Sequence, residues 1–197
     1  MAMPHLDTVQ GVDKLNLFLG HLRLNDDTGL LLKIDLTYVQ LVSGLSKFVF
    51  NQRYKRYSWI EWGWATSLWK FISTTQMTFD YPDMWLPTAA REGDIFLMEF
   101  FVSQRLTPTV LTQLNACCFY LQVITLSDIV SANGKYITPE AKAGQKDSYR
   151  TSTLEWPVQG RPNNATWQLW RRELAYLEER GQLIRPLGRR IAASHQQ

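Results

Sequence analysis

Residues 8–44 read TVQGVDKLNLFLGHLRLNDDTGLLLKIDLTYVQLVSG, and this stretch decides the fold class. Asp7 or Thr8 supplies a helix-capping oxygen. Val12, Leu15, Leu19 and Leu22 then recur at three- and four-residue spacing, an apolar stripe along one helix face. Asn25-Asp26-Asp27-Thr28-Gly29 is turn chemistry that also offers a cap to whatever follows. Leu30 to Val42 is apolar enough for a second helix, which Ser43-Gly44 ends. Two helices joined by so short a turn predict a helical hairpin.

Working outward, Phe48-Val49-Phe50 reads as a short strand and residues 51–60 as a loop. Ala65 to Thr75 reads as a helix, and Met77, Phe79 and Tyr81 alternate with polar residues like a strand. Glu92 to Arg105 predicts a helix with a buried centre and acids in its first turn. Thr107-Pro108 is a cap followed by proline at the first helical position, and Leu111, Leu114, Cys118 and Leu121 form the apolar face beyond it. Ser127-Asp128 starts a short further helix, Asn133-Gly134 is a turn, and Tyr136-Ile137 pairs briefly as a strand. Gly144 to Ser152 is a polar loop. Asn163 or Asn164 caps a last helix with Trp167, Trp170, Leu174 and Leu177 on one face, ending near Arg180-Gly181.

The expected fold is therefore mainly α, a single helical domain with a few short β-strands. Residues 1–46 form a helical hairpin docked on the body, 47–57 a basic aromatic loop, 58–182 the main helical body and 183–197 a basic C-terminal tail. The core should contain Leu68, Trp69, Phe71, Leu97, Met98, Phe101, Leu114, Leu121, Trp167 and Trp170.

Composition excludes several classes. A chain of 197 residues that is 45% hydrophobic and 13% aromatic is folded, not disordered. No apolar run reaches the roughly 18 residues of a membrane span. Met1-Ala2-Met3-Pro4-His5 lacks the cationic-then-apolar pattern of a secretory leader. Cys117 and Cys118 are adjacent and cannot staple distant segments, which points to a reducing, intracellular setting. The sequon Asn164-Ala165-Thr166 is then a coincidence. Residues 150–197 hold eight arginines against four glutamates, a basic bias that permits a nucleic-acid partner without requiring one.

Catalytic chemistry is hard to assemble. His5, His21 and His195 are not at ligand spacing with one another or with a cysteine, so no metal or other cofactor is expected. No Gly-x-Ser-x-Gly or phosphate-loop motif occurs. Asp94 and Asp128 are the best candidates for holding a metal, but both lie where aspartate ordinarily caps a helix. Cys117 and Cys118 read as buried apolar residues, not nucleophiles.

The binding signal is stronger. Arg53, Lys55 and Arg56 are interleaved with Tyr57 and Trp59, a mixture of cations for phosphates and rings for unpaired bases. Arg189 and Arg190 are a second pair of candidate phosphate contacts. In each case the plain alternative is a solvated basic segment. Trp69, Trp167 and Trp170 lie on apolar helix faces and read as core.

Several phrases taken together resemble a segment found in long open reading frames of eukaryotic retroelements. They are Leu17-Phe18-Leu19-Gly20-His21-Leu22-Arg23-Leu24, Thr66-Ser67-Leu68-Trp69-Lys70-Phe71, Arg91-Glu92-Gly93-Asp94 with Leu97-Met98-Glu99-Phe100, Tyr120-Leu121-Gln122-Val123 with Leu126-Ser127-Asp128-Ile129, and Trp156-Pro157 followed by Arg161-Pro162 and Trp167-x-x-Trp170. The resemblance covers roughly residues 10–190. In those frames a reverse transcriptase lies nearby and a ribonuclease-H-like domain often follows. It implies a fragment or stand-alone copy of the linker region of such a polyprotein, with the polymerase and nuclease acids in other segments. That setting, with Arg53, Lys55, Arg56 and the arginine-rich last quarter, gives the first reading: a non-catalytic module that helps hold RNA or DNA, with the reverse transcriptase or ribonuclease-H-like domain as further candidate partners. A structural or protein-interaction linker, marked by an exposed tryptophan-lined apolar patch, is the second reading. An enzyme with Asp94 and Asp128 converging on a metal is the third.

Overall fold

The computed structural model describes residues 6–146, 154 and 156–191. His5, His195, the end of the polar run at 147–152 and the tail beyond Ile191 lie outside the described residues. The chain is mainly α, with seven α-helices and one two-stranded sheet among the described residues. It divides into two compact units, residues 1–86 and 87–197. That division falls inside the stretch 58–182 that the sequence suggests is one body.

In the first unit, α1 (Leu6–Leu24) and α2 (Asp27–Ser43) form the expected hairpin, and both pack on α3 (Trp64–Thr75). The Asp26 carboxylate caps α2 by accepting the Gly29 N–H at 2.8 Å. Its other oxygen meets His21 Nδ1 at 2.7 Å. The inward face of α1 differs from the expected stripe. Gly11 and Phe18 are buried whereas Val12 is exposed. Gly11 faces the Phe71 ring, and a Cβ there would collide with it, so glycine permits α1 to approach α3.

Neither strand expected in this unit forms. Val49–Asn51 is a 3-10 turn. The reason is Gln40, fully buried on α2. Its Nε2 donates to the carbonyls of Leu45 (2.9 Å) and Lys47 (3.0 Å), while its Oε1 accepts the Val49 N–H at 3.0 Å. One side chain thus takes the backbone groups a strand ladder would have used. Residues 77–81 form no strand, and Phe79 pairs instead with a side chain. Asn51 Nδ2 donates to the Phe79 carbonyl and Asn51 Oδ1 accepts the Phe79 N–H, both at 2.8 Å.

In the second unit, α4 (Leu97–Ser103) and α7 (Asn164–Ala175) pack on α5 (Pro108–Leu121), and α6 (Pro139–Lys142) lies against α7. Thr107 and Asn163 cap α5 and α7 as expected. The helix expected over 92–105 begins only at Leu97. Phe96 is bridged to Thr125, and the Leu126 N–H donates to the Ile95 carbonyl at 2.8 Å, so this backbone is committed to another segment. Helix α7 stops at Ala175, short of Arg180. Beyond it, β1 (Glu178–Glu179) and β2 (Gln182–Leu183) form a hairpin. Arg180 (φ 52°) and Gly181 (φ 78°) make its two-residue turn, the geometry whose twist suits a tight hairpin. Tyr136-Ile137 makes the expected brief pairing, Ile137 bridging to Val130.

Residues 184–191 are not a free tail. Arg190 bridges to Arg91, and the Glu92 N–H donates to the Arg189 carbonyl at 3.0 Å. Arg91 is buried and donates to the Ala132 carbonyl at 2.6 Å. Of the expected core, Leu68, Trp69, Leu97, Met98, Phe101, Leu114, Leu121, Trp167 and Trp170 are buried, and Phe71 is half-buried beneath Gly11.

Two outcomes follow. Gln40→Leu strands one buried N–H and two carbonyls, and should destabilise the first unit by about 3 kcal/mol, read as faster native-state hydrogen exchange of α2 and α3 amides in the full chain. The Gly29 N–H, and secondarily His21, hold the Asp26 carboxyl below its ordinary value of 3.8. A carboxyl lowered on folding stabilises above its unfolded value and stops doing so as pH falls through its folded value. The first turn of α2 should therefore loosen in acid below the ordinary carboxylate range, and Asp26→Ala should show that looseness at neutral pH, read at the Gly29 and Leu30 amides.

Candidate nucleic-acid interface

The stretch Arg53–Trp59 is built around one helical turn. Tyr54–Tyr57 is a 3-10 helix, with three residues per turn. Tyr54 and Tyr57 therefore point the same way, and both meet Trp69, each with ring centres 5.4 Å apart. Trp69 is fully buried on α3, and its Nε1–H donates to the Gln52 carbonyl at 2.7 Å. The residues between, Lys55 and Arg56, are driven outward with Arg53, and all three are exposed. The loop expected at 47–57 is thus a set of anchored 3-10 turns.

Of the candidates, Arg53, Lys55 and Arg56 are each exposed, with Lys55 a third of a turn from the other two. Tyr57 is not available to stack on a base, because it is 6% exposed and closes over Trp69. Trp59 is half-buried, with its ring centre 6.5 Å from that of Tyr57. Arg189 and Arg190 are exposed, but they belong to the second unit, on the segment held against Ala90–Glu92.

Trp62 is a further open ring beside this turn. It is 62% exposed. Tyr54 meets it edge-on at 6.5 Å, and the Lys70 ammonium sits over its ring at 5.6 Å from the centre. These three, with Lys55 and the hydroxyls of Ser58, Ser73 and Thr74, line a hollow of about 440 Å³. No carboxylate lines it. Burial pushes the Tyr54 phenol above its ordinary value. A second hollow of about 350 Å³ shares Trp62, Lys70 and Thr74 and adds Lys14, Ser67 and Asp7. The signal for Trp62 was present in the sequence. It lies between Glu61 and Gly63, just before α3, where no helical face requires it to be buried.

The second unit has its own cation–ring contacts, Lys146 over Tyr120 at 4.4 Å and Arg161 over Trp167 at 5.5 Å. Trp167 is buried, so this cluster offers no open tryptophan face.

Asp94 and Asp128 are both engaged with backbone amides. Asp94 accepts from Ala90, Ile95 and Ser127 at 2.9–3.0 Å. Asp128 accepts from Ile124 and Thr125 at 2.7 and 2.9 Å. Asp94 ties a loop to the Ser127 turn and does not cap α4, whose capping residue is Phe96. Among the described residues, no three His, Cys, Asp or Glu side chains gather as a metal site. No helix among them is long and apolar enough to cross a membrane. Cys117 and Cys118 are free and buried. Burial pushes the Cys117 thiol up to about 12, against a small opposing effect of Arg161, and pushes Cys118 well above the ordinary thiol value.

No protein-family model matches this chain, and no curated protein or solved structure matches it.

The buried thiols should resist alkylation at about pH 8 in the folded chain and react at once in denaturant. Mass spectrometry after iodoacetamide treatment reads both states.

Proposed function

We propose that this chain is a non-catalytic module of a retroelement protein and that it holds RNA or DNA on the basic aromatic face of its first unit. It would work inside the cell beside a reverse transcriptase and a ribonuclease-H-like domain. The retroelement setting is supported by the sequence resemblance over residues 10–190. The nucleic-acid contact is supported by one observation above all. Arg53, Lys55 and Arg56 project from a turn whose tyrosines are packed on Trp69. Cations presented from an anchored turn lose less freedom on meeting a phosphate backbone than cations on a mobile loop. Trp59 and Trp62 border the same face-forming segment with partly or largely open rings. Phosphate neutralisation would supply affinity without sequence preference.

A second reading is favoured by a different surface. On α2, Leu30, Leu31, Ile34 and Tyr38 are all exposed, at 43–66%, and three of them recur every four residues. Such an apolar stripe suits a protein-interaction linker. It is aliphatic, with one tyrosine, and differs from the tryptophan-lined patch expected of that reading.

Fluorescence anisotropy with labelled single-stranded RNA and DNA, titrated in salt, separates the two. Under the nucleic-acid reading, affinity falls steeply with salt. Changing Arg53, Lys55 and Arg56 together to alanine flattens the log–log slope by about two units, since each phosphate contact on a single strand contributes about 0.7. Affinity absent at low salt, or independent of salt, overturns that reading and leaves the linker.

A further inference from the structure

We infer that the hollow bounded by Tyr54, Trp62 and Lys70 is a pocket for one unpaired nucleotide, its base stacked on Trp62 and its phosphate held by Lys55 and Lys70. This inference rests on the nucleic-acid reading above and gives that face a specific point of contact.

Four observations converge on this ligand class. The first is the exposed indole. A tryptophan 62% open to solvent leaves apolar ring surface in water, which a stacking partner would cover. The ring is nevertheless held, by the edge of Tyr54 on one side and by the Lys70 ammonium. A platform fixed in advance loses little freedom when a base stacks on it.

The second is charge. The hollow is lined by two lysines and no carboxylate. The Lys70 ammonium lies over the Trp62 ring, 5.6 Å from its centre, so a base that stacks on that face takes its place and frees the ammonium for a phosphate. An aromatic ligand without an anion would leave both lysines unused. An anion without a ring would leave Trp62 uncovered.

The third is the remaining polarity. Ser58, Ser73 and Thr74 contribute hydroxyls to the lining. Ser73 already accepts the Tyr54 N–H at 3.1 Å, and the Thr74 hydroxyl donates to the Lys70 carbonyl at 2.8 Å, so both are held in position. A serine or threonine oxygen keeps a lone pair for a sugar hydroxyl in such an arrangement.

The fourth is size. About 440 Å³, in a hollow open to solvent, is room for one small ligand. The adjoining hollow of about 350 Å³ shares Trp62 and Lys70 and carries Lys14 together with Asp7. Lys14 is steadied there by its bond to Ser67 Oγ at 2.8 Å.

The test uses the full chain and a labelled single-stranded oligouridylate, with Trp62→Ala, Trp62→Phe and Lys70→Ala beside the wild type. Trp62→Ala should weaken binding about tenfold, as expected for one lost base–aromatic stack. Its salt slope should be unchanged, because no charge is removed. Trp62→Phe should recover much of the affinity. Lys70→Ala should flatten the salt slope by roughly 0.7. The wild type is also titrated with adenosine 5′-monophosphate while the indole N–H resonances are followed by NMR, with Trp62 assigned from the variants. A shift of the Trp62 resonance that spares the buried Trp69 is expected. If the oligonucleotide binds with unchanged affinity in Trp62→Ala, the pocket is wrong and the basic turn alone accounts for the nucleic-acid reading. If the oligonucleotide fails to bind but the mononucleotide shifts Trp62, the module reading falls while the pocket stands. If neither ligand perturbs Trp62, the pocket is overturned.

Discussion

The indole of Trp69 is the fixed point on which the candidate interface depends. It is buried completely, so its N–H needs a partner inside the protein, and the Gln52 carbonyl provides it at 2.7 Å. That bond brings the chain just ahead of the basic turn down onto α3. Tyr54 and Tyr57 then have one apolar surface to cover, and a three-residue helical period lets both reach it. The outward direction of Arg53, Lys55 and Arg56 follows from the inward direction of the two tyrosines. Exposure of the cations is thus a consequence of packing, and the same packing sets Tyr54 against Trp62 at a steep interplanar angle of 74°.

Irregular backbone in this chain is repeatedly held by one buried or half-buried polar side chain. Gln40 serves the segment 45–49 in the first unit. In the second, Asp94 gathers amides from Ala90, Ile95 and Ser127, and Arg91 crosses to the Ala132 carbonyl. Each such side chain replaces a stretch of regular hydrogen bonding among the described residues. The arrangement also assigns work to the carboxylates that an enzymatic reading would want. An aspartate that already accepts three backbone amides spends its lone pairs on the fold, and removing it would strand those amides.

What was legible in the sequence was what local chemistry decides. The hairpin of residues 8–44 was readable because a cap, two apolar helices and a glycine stop agree. Thr107-Pro108 and Asn163 were readable for the same reason, and so was the burial of Trp69, Trp167 and Trp170. The misreadings share a cause as well. Phe48-Val49-Phe50 and Met77 to Tyr81 have strand-like side chains, but side chains of distant residues, Gln40 and Asn51, took their backbone groups. The start of α4 was lost to pairing with residues 124–126. Arg180-Gly181 looked like a helix end and is a hairpin turn, since a glycine at positive φ serves either. At the interface, the basic residues were visible by type alone. Tyr57, expected as a stacking ring, is buried instead, because composition cannot say which of two neighbouring rings goes inside.

That last distinction bears on how the surface would function. An aromatic in a basic loop is a stacking candidate only if some other ring has satisfied the core in its place. Here Trp69 is covered by Tyr54 and Tyr57, which leaves Trp62 with no buried position to fill and with Lys70 over its ring. The division of labour among four rings therefore matters more than their number. Two tyrosines complete the core, one tryptophan anchors it, and one tryptophan remains outside with a lysine over its face. A surface arranged this way has its ring, its charge and its hydroxyls held before any ligand arrives, the condition under which weak individual contacts add to useful affinity.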